Sequence, residues 1–261
     1  MEAGSYSQSL ERGLAILSAF RSGAPLLGVS ELGRDLGLSR STTHRYVATL
    51  AALGYLQQDP GTKKYRLGPR VLDLGFSAIN SMELREIAAP HLRELSDESG
   101  FTVNMAILDD LDIVYVERCR SAQARQREID LNLHVGSRLP AYCTSLGKVL
   151  FAYLDAADLD ARLRRIEFAR RGPNTLTSRR SLEAELERVR ENGYAVNNEE
   201  LAYGLRSIAA PILTHDGAAP AAINLAVHSS MVSSLDMGAK LGPVVRRAAA
   251  DVSARLGYRP A

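Results

Sequence analysis

The chain has 261 residues, 46% of them hydrophobic and 24% charged, which suits two ordinary domains and excludes wholesale disorder. Aromatic residues make up only 6% and tryptophan is absent, which argues against a stacking platform for single-stranded nucleic acid. No apolar run approaches the roughly 18 residues of a membrane span, and residues 1–8 lack a basic-then-apolar leader. Two cysteines, Cys119 and Cys143, make no disulfide framework, so a reducing cytoplasm and no membrane partner are expected. The net charge of +2 conceals an asymmetry. Residues 1–80 carry nine basic and six acidic side chains, the remainder 23 and 24. Between 40 and 70, six basic residues face Asp59 alone, the footprint of a nucleic-acid contact.

Ser9 caps an expected first helix whose apolar positions Leu10, Leu14, Ile16, Leu17 and Phe20 follow helical spacing, with Gly23 and Pro25 ending it. A second helix starts at Ser30. Gly37-Leu38-Ser39 makes a tight turn, and Ser39 caps a third helix that runs through Leu53 to the glycine cap Gly54. Short strands at 55–57 and 65–67 flank the turn Asp59-Pro60-Gly61-Thr62. Helix, helix, turn, helix, hairpin is a winged helix-turn-helix. Residues 68–81 read as an apolar-rich connecting helix. A longer helix over 84–99 is expected next, then strands at 102–108, 113–118 and 128–135. Helices over 145–154 and 181–192 follow, the second capped by Ser181. Strands at 194–197, 207–214 and 221–228 and a last helix over 237–256 complete an α+β domain around an antiparallel sheet. The expected domains are 1–68, a connector at 69–83, and 84–261.

On the third helix, Thr43, Val47, Leu50 and Leu53 share an inward face toward Leu14, Leu32 and Leu36. Arg40, Ser41, His44 and Arg45 then point outward near the helix start, with Thr42 at the margin, where such a helix meets base edges. Arginine pairs bidentately with guanine or reaches phosphate, and the hydroxyls donate to either. Lys63, Lys64 and Arg66 of the hairpin suit neighbouring phosphates. The other reading is a solvated basic face on a module that never touches DNA.

The segment Ser9-Leu10-Glu11-Arg12-Gly13-Leu14-Ala15-Ile16-Leu17 and the helix start Ser39-Arg40-Ser41-Thr42-Thr43-His44-Arg45 resemble the IclR family of bacterial transcriptional regulators. So do Gly54-Tyr55-Leu56, Tyr65-Arg66-Leu67-Gly68, the run from Gly136 to Lys148, Glu200, and Gly204-Leu205-Arg206-Ser207-Ile208-Ala209 with Pro211. The resemblance covers nearly the whole chain. It implies a GAF-like effector-binding second domain, and a homodimer or a tetramer built as a dimer of dimers. Arg138-Leu139-Pro140-Ala141-Tyr142 together with residues 204–209 is most similar to the subgroup governing aromatic-acid catabolism through the β-ketoadipate pathway. That implies an effector such as protocatechuate, 4-hydroxybenzoate or β-ketoadipate. Asn197 and Leu213-Thr214 depart from residues frequent in the family.

For the effector, the turn into the helix at 145 offers free N–H groups near Thr144, Ser145 and Leu146 to a carboxylate. Arg138 and Arg206 are candidate clamps, with Tyr142 and Cys143 beside them. Asn224, Ala226 and His228 alternate along one strand face, leaving Ile223, Leu225 and Val227 as core. Each has a plainer reading: Thr144 and Ser145 as a helix cap, the arginines as ion-pair partners, His228 as a hydrogen-bonded strand end, Cys143 as a small buried hydrophobe. An enzyme using Cys143 with His228 or His134 finds no nucleophile elbow, no metal-ligand spacing and no dinucleotide loop in support. The expectation is therefore a regulator without metal or cofactor. Its expected partners are a duplex pseudo-palindromic operator, a small organic acid and RNA polymerase, and a ligand-sensing adaptor is the alternative.

Overall fold

The computed structural model describes residues 6–20, 25–80, 82–120 and 131–259. The chain forms two units, Met1–Ser81 and Met82–Ala261. In the first, α1 (Gln8–Ser18), α2 (Val29–Asp35) and α3 (Arg40–Ala52) precede the hairpin β1 (Leu56–Gln58) and β2 (Tyr65–Leu67), and α4 (Arg70–Asn80) follows. Ser7 rather than Ser9 caps α1, accepting from the Leu10 N–H. Between α2 and α3 the chain reverses at Gly37, whose φ of +65° is left-handed and costs little without a β-carbon. Leu27 bonds to Tyr65 in both directions and widens the wing by one bridge. The core of the unit is Ile16, Leu32, Val47, Leu56 and Tyr65. Thr43 and Val47 are buried as the helical spacing demands. Leu14 and Leu53 are not: they stand 55% and 49% exposed, because Ile16, on another side of α1, is the residue that turns inward.

The second unit opens with α5 (Glu83–Ser99) and the hairpin β3 (Thr102–Asp109) and β4 (Asp112–Cys119). Then come β5 (Arg138–Pro140), a single 3-10 turn at Ala141–Cys143, α6 (Ser145–Ala152), α7 (Ala156–Leu163) and α8 (Arg179–Asn192). Strands β6 (Ala195–Asn198), β7 (Leu205–Ile212) and β8 (Ala221–His228) complete the sheet, and α9 (Ser234–Asp236) leads through a π-helical stretch into α10 (Gly242–Arg255). The sheet order is β5-β4-β3-β8-β7-β6, antiparallel throughout. This is the expected α+β domain. The strand expected over 128–135 is corrected where it is described: residues 131–135 lie in no strand, and 128–130 fall outside the described residues. The edge strand is instead Arg138–Pro140, too short for an alternating pattern to announce it. Ser178 rather than Ser181 caps α8. Helix α7, capped by Asp155, is not announced by the sequence pattern, because Leu159 and Leu163 are its only buried positions and two turns are too short for helical spacing to repeat.

Alternation in the strands sends Val103, Met105, Ile208, Ala210, Ile223, Leu225 and Val227 to one core beneath α5 and α10. Ala106, Ala209 and Ala222 face a second core around α6 and α8. These small residues let α6 approach closely. Helix α6 is buried along its whole length, and a β-carbon on Gly147 would fall 2.2 Å from the Ala141 carbonyl oxygen. Alanine at 147 should therefore destabilise the second unit by roughly 2–4 kcal/mol despite alanine's better helix propensity. Denaturant unfolding followed by circular dichroism checks this, and a stability gain would refute it.

Candidate functional site

Two places carry the chemistry. In the first unit, Ser39 anchors the start of α3: its Oγ accepts from the Thr42 N–H at 3.2 Å and donates to Thr42 Oγ1 at 2.8 Å. Thr43 Oγ1 donates back to the Ser39 carbonyl at 2.9 Å and is buried. Arg40, Ser41, His44 and Arg45 are exposed and Thr42 is half-buried, the arrangement the helical spacing predicts. None of Arg40, Arg45 and Lys63 is ion-paired among the described residues; Arg45 rests 5.8 Å from the centroid of the Tyr46 ring. The other wing cations are occupied. Lys64 Nζ meets Glu31 Oε1 at 2.9 Å, and Arg66 donates twice to Gln57 Oε1 on the partner strand. The Gly28 N–H and then Lys64 hold the Glu31 carboxyl below the usual carboxylate range, which keeps that anchor charged.

The second place is a small cavity in the sheet's α6 face, about 30 Å³ in volume. Of the residues singled out in the sequence, Thr144, Asn224 and Ala226 line it. The others lie elsewhere, and their partners say why. Arg138 pairs with Asp109 at 2.6 Å and Asp112 at 3.5 Å across the β3–β4 turn. Arg206 donates to Asn198 Oδ1, the Ser229 carbonyl and the Val232 carbonyl at 2.6–2.8 Å, clamping two loops together. The Tyr142 hydroxyl donates to the Ala169 carbonyl at 2.6 Å, with the ring edge-on to Phe168. His228 Nδ1 accepts from the Ser230 N–H. Cys143 and Leu146 are core, and Ser145 Oγ shares a 2.7 Å hydrogen bond with Ser207, which does reach the cavity. Thr144 Oγ1 accepts from the Gly147 N–H and so also serves as a helix cap.

The residues missed in the sequence are the more telling. Asn104 lies opposite both Arg118 and Asn224 in the sheet register. Its Nδ2 donates to Asn224 Oδ1 at 2.8 Å, and its Oδ1 accepts from Arg118 Nη1 at 2.7 Å. Among the described residues lining the cavity, Arg118 alone carries positive charge. Strict alternation would put Tyr115 and Arg118 on opposite faces. A register shift beside Met105 leaves Val116 as an extra residue in β4 and turns both into the cavity. Burial pushes the Tyr115 hydroxyl up to about 12, so it stays protonated. The same alternation that flagged Asn224 would have found Asn104; nothing in the sequence announces the bulge.

Beside the cavity, Lys148 is fully buried. Its Nζ donates to Glu200 Oε1 at 2.6 Å, the Val196 carbonyl at 2.6 Å and Glu185 Oε1 at 3.2 Å. Burial raises the Glu200 carboxyl while Lys148 draws it down. Asn197, which lines the cavity, donates to the Cys143 carbonyl and accepts from the Glu200 N–H. Burial pushes the thiols of Cys119 and Cys143 up to about 11 and about 12, far from a reactive thiolate. Among the described residues no helix is long and apolar enough to cross a membrane, and no cluster of His, Cys, Asp or Glu is placed to hold a metal.

An exposed helix-turn-helix with a wing, joined in one chain to an α+β domain with a polar internal cavity, defines a ligand-sensing DNA-binding regulator. The model of the IclR helix-turn-helix domain matches residues 9–60, and that of the bacterial transcriptional regulator IclR C-terminal domain matches residues 76–254. The chain belongs to the IclR family of transcriptional regulators and is not an enzyme. It is 36% identical to the HTH-type transcriptional regulator XynR of Escherichia coli, over 96% of this chain and 98% of that one. It is likewise 36% identical to the Pca regulon regulatory protein of Pseudomonas putida, over 96% and 84%. A crystal structure of a transcriptional regulator from Rhodococcus superposes with a TM-score of 0.81 at 38% identity, over 97% and 99% of the two chains.

The buried ammonium yields a prediction. Replacing Lys148 by methionine strands Glu200 in the interior and should cost about 3–5 kcal/mol. Adding Glu200→Gln should restore a large part of that loss in a double-mutant cycle measured by denaturant unfolding. Purely additive losses would show that the pair is not coupled.

Proposed function

We propose that α3 enters the major groove of a pseudo-palindromic operator, with Arg40, Ser41, Thr42, His44 and Arg45 at base edges and phosphates and Lys63 on a flanking phosphate. The observation supporting this is the helix start itself, a capped turn presenting two arginines that pair with no carboxylate among the described residues. Lys64 and Arg66 reach phosphate after leaving Glu31 and Gln57. A single module spans one half-site, so specificity calls for two copies. Exposed leucines, Leu10 and Leu14 on α1 and Leu72 and Leu74 on α4, supply apolar surface for a homodimer. A dimer of dimers, RNA polymerase as a further partner and a cytoplasmic location belong to the same reading.

The effector in this reading is a small organic acid held by Arg118, with Asn104, Asn224 and the Tyr115 hydroxyl fixing its orientation. The resemblance of residues 138–142 and 204–209 to the subgroup governing aromatic-acid catabolism favours an aromatic carboxylate or β-ketoadipate. Binding would act by its differential affinity for the DNA-competent and incompetent arrangements.

Two measurements test this. Arg40→Ala with Arg45→Ala should weaken operator binding at least tenfold. The same change should flatten the salt dependence by about 0.9 in log–log slope for each phosphate that the protein no longer neutralises. Binding at wild-type strength would sink the α3 assignment. In calorimetry with 4-hydroxybenzoate, protocatechuate and β-ketoadipate, Arg118→Gln should lower affinity about tenfold to a hundredfold while Arg138→Ala changes it less than about twofold. Equal affinity in wild type and Arg118→Gln, or binding of uncharged amides alone, would overturn the carboxylate reading.

A further inference from the structure

A second concavity lies away from the effector cavity, along one side of α10. It is a groove of about 630 Å³, open to solvent along its length and walled by α10 on one side and the last turn of α8 on the other. Three features set it apart from an ordinary surface crease. Arg190, Arg246 and Arg247 line it against one acid, Glu191. Arg246 is exposed and forms no ion pair among the described residues; Arg247 reaches only the exposed Glu98, at 3.4 Å; Arg190 donates Nε to the Ala152 carbonyl. The floor is apolar, made by Ala210, Pro211 and Leu213 of β7 and its end. Finally, that part of β7 is paired on one side only: β6 stops at Ala195 opposite Ala209, while β8 continues to Ala221 opposite Ile212. Proline at 211 is the residue a strand tolerates where one side has no ladder.

We propose that this groove docks an extended acidic peptide segment of a partner protein. Its openness suits a chain laid on the surface rather than a small molecule, which would leave most of its own surface wet. The charge imbalance selects carboxylates and the apolar floor takes one intervening hydrophobic side chain; the edge of β7 adds no donor, since Pro211 has no N–H and the Leu213 N–H donates to Ser253 Oγ at 2.8 Å. The Tyr153 and Tyr258 hydroxyls at one end add hydrogen-bonding partners.

The test is fluorescence anisotropy of the full chain with a fluorescein-labelled decapeptide of five glutamates alternating with leucine and serine. The peptide should bind, its glutamine-substituted counterpart at least tenfold more weakly. Arg246→Glu with Arg247→Glu, two exposed positions, should weaken binding about tenfold while operator affinity stays unchanged, showing that the protein is folded. Arg40→Ala with Arg45→Ala should leave peptide binding intact. The proposal is overturned if the glutamate peptide fails to bind, if only the α3 variant loses it, or if the glutamine peptide binds as well. It is also overturned if light scattering shows that the α10 variant changes the oligomeric state, which would make the groove a contact between copies.

Discussion

One ammonium group organises the wall of the cavity on the α6 face. Lys148 is fully buried, and an unpaired charge there would cost several kcal/mol. Its three oxygen partners come from α8, from Val196 within β6 and from the turn between β6 and β7. Satisfying one nitrogen thus fixes the mutual position of three elements. Two of them carry cavity residues: Asn197 on β6 and Leu201 just after Glu200. The cap of the lysine's own helix, Thr144, is a third. A well-packed apolar replacement could match its stability; the ionic version adds a demand for one geometry. This is why the carboxylate of Glu200 sits where burial works against its charge.

The same demand for satisfied polar groups explains where the cavity lies. The sheet is two-faced, and on the α5 and α10 side the alternating residues are apolar apart from Glu117, which pairs with Arg85 of α5 at 2.9 Å. On the α6 side the pattern breaks at Asn104, Asn224 and Ser207, three polar side chains on the adjacent strands β3, β8 and β7. Buried polar side chains require partners, and these find theirs in one another and in Ser145 and Arg118. A polar patch of this kind, bordered by Tyr115 and approached by the Arg118 guanidinium, is poorly suited to close packing and well suited to a polar ligand.

Much of this was legible in the sequence. The three helices and wing follow from the caps, the Gly37 turn and the Asp59–Thr62 tip, because each is a local signal backed by local hydrogen bonds. The outward set on α3 was equally readable, since helical spacing alone sorts its faces. The cavity was half legible. Asn224 and Ala226 emerged from alternation, but the choice of arginine did not. Arg138, Arg206 and Arg118 look alike in sequence, each in a strand, and what separates them is non-local. Arg138 meets two aspartates at a turn, and Arg206 meets carbonyls brought in by the loop that follows β8. Arg118 faces the cavity only because β4 carries an extra residue at Val116. A bulge has no composition of its own, so single-strand periodicity cannot reveal it.

The arginines also suggest how a charged residue's task can be decided once the fold is known. A guanidinium that meets two main-chain carbonyls, the Asn198 amide oxygen and the Glu199 carboxylate at 3.9 Å, as in Arg206, is tying the end of β6 to the loop after β8, and its loss would loosen both. One that meets carboxylates on a tight turn, as in Arg138, trims local charge and contributes little once screened. One set beside amide side chains in a cavity wall, as in Arg118, has its orientation fixed through a neutral acceptor, and no carboxylate lines that cavity among the described residues. The same reasoning applies on α3: Arg40 and Arg45 meet no carboxylate among the described residues, whereas Lys64 and Arg66 are already held in place on the wing. On α3, cations that the fold positions without a carboxylate partner among the described residues are the ones left to meet phosphate.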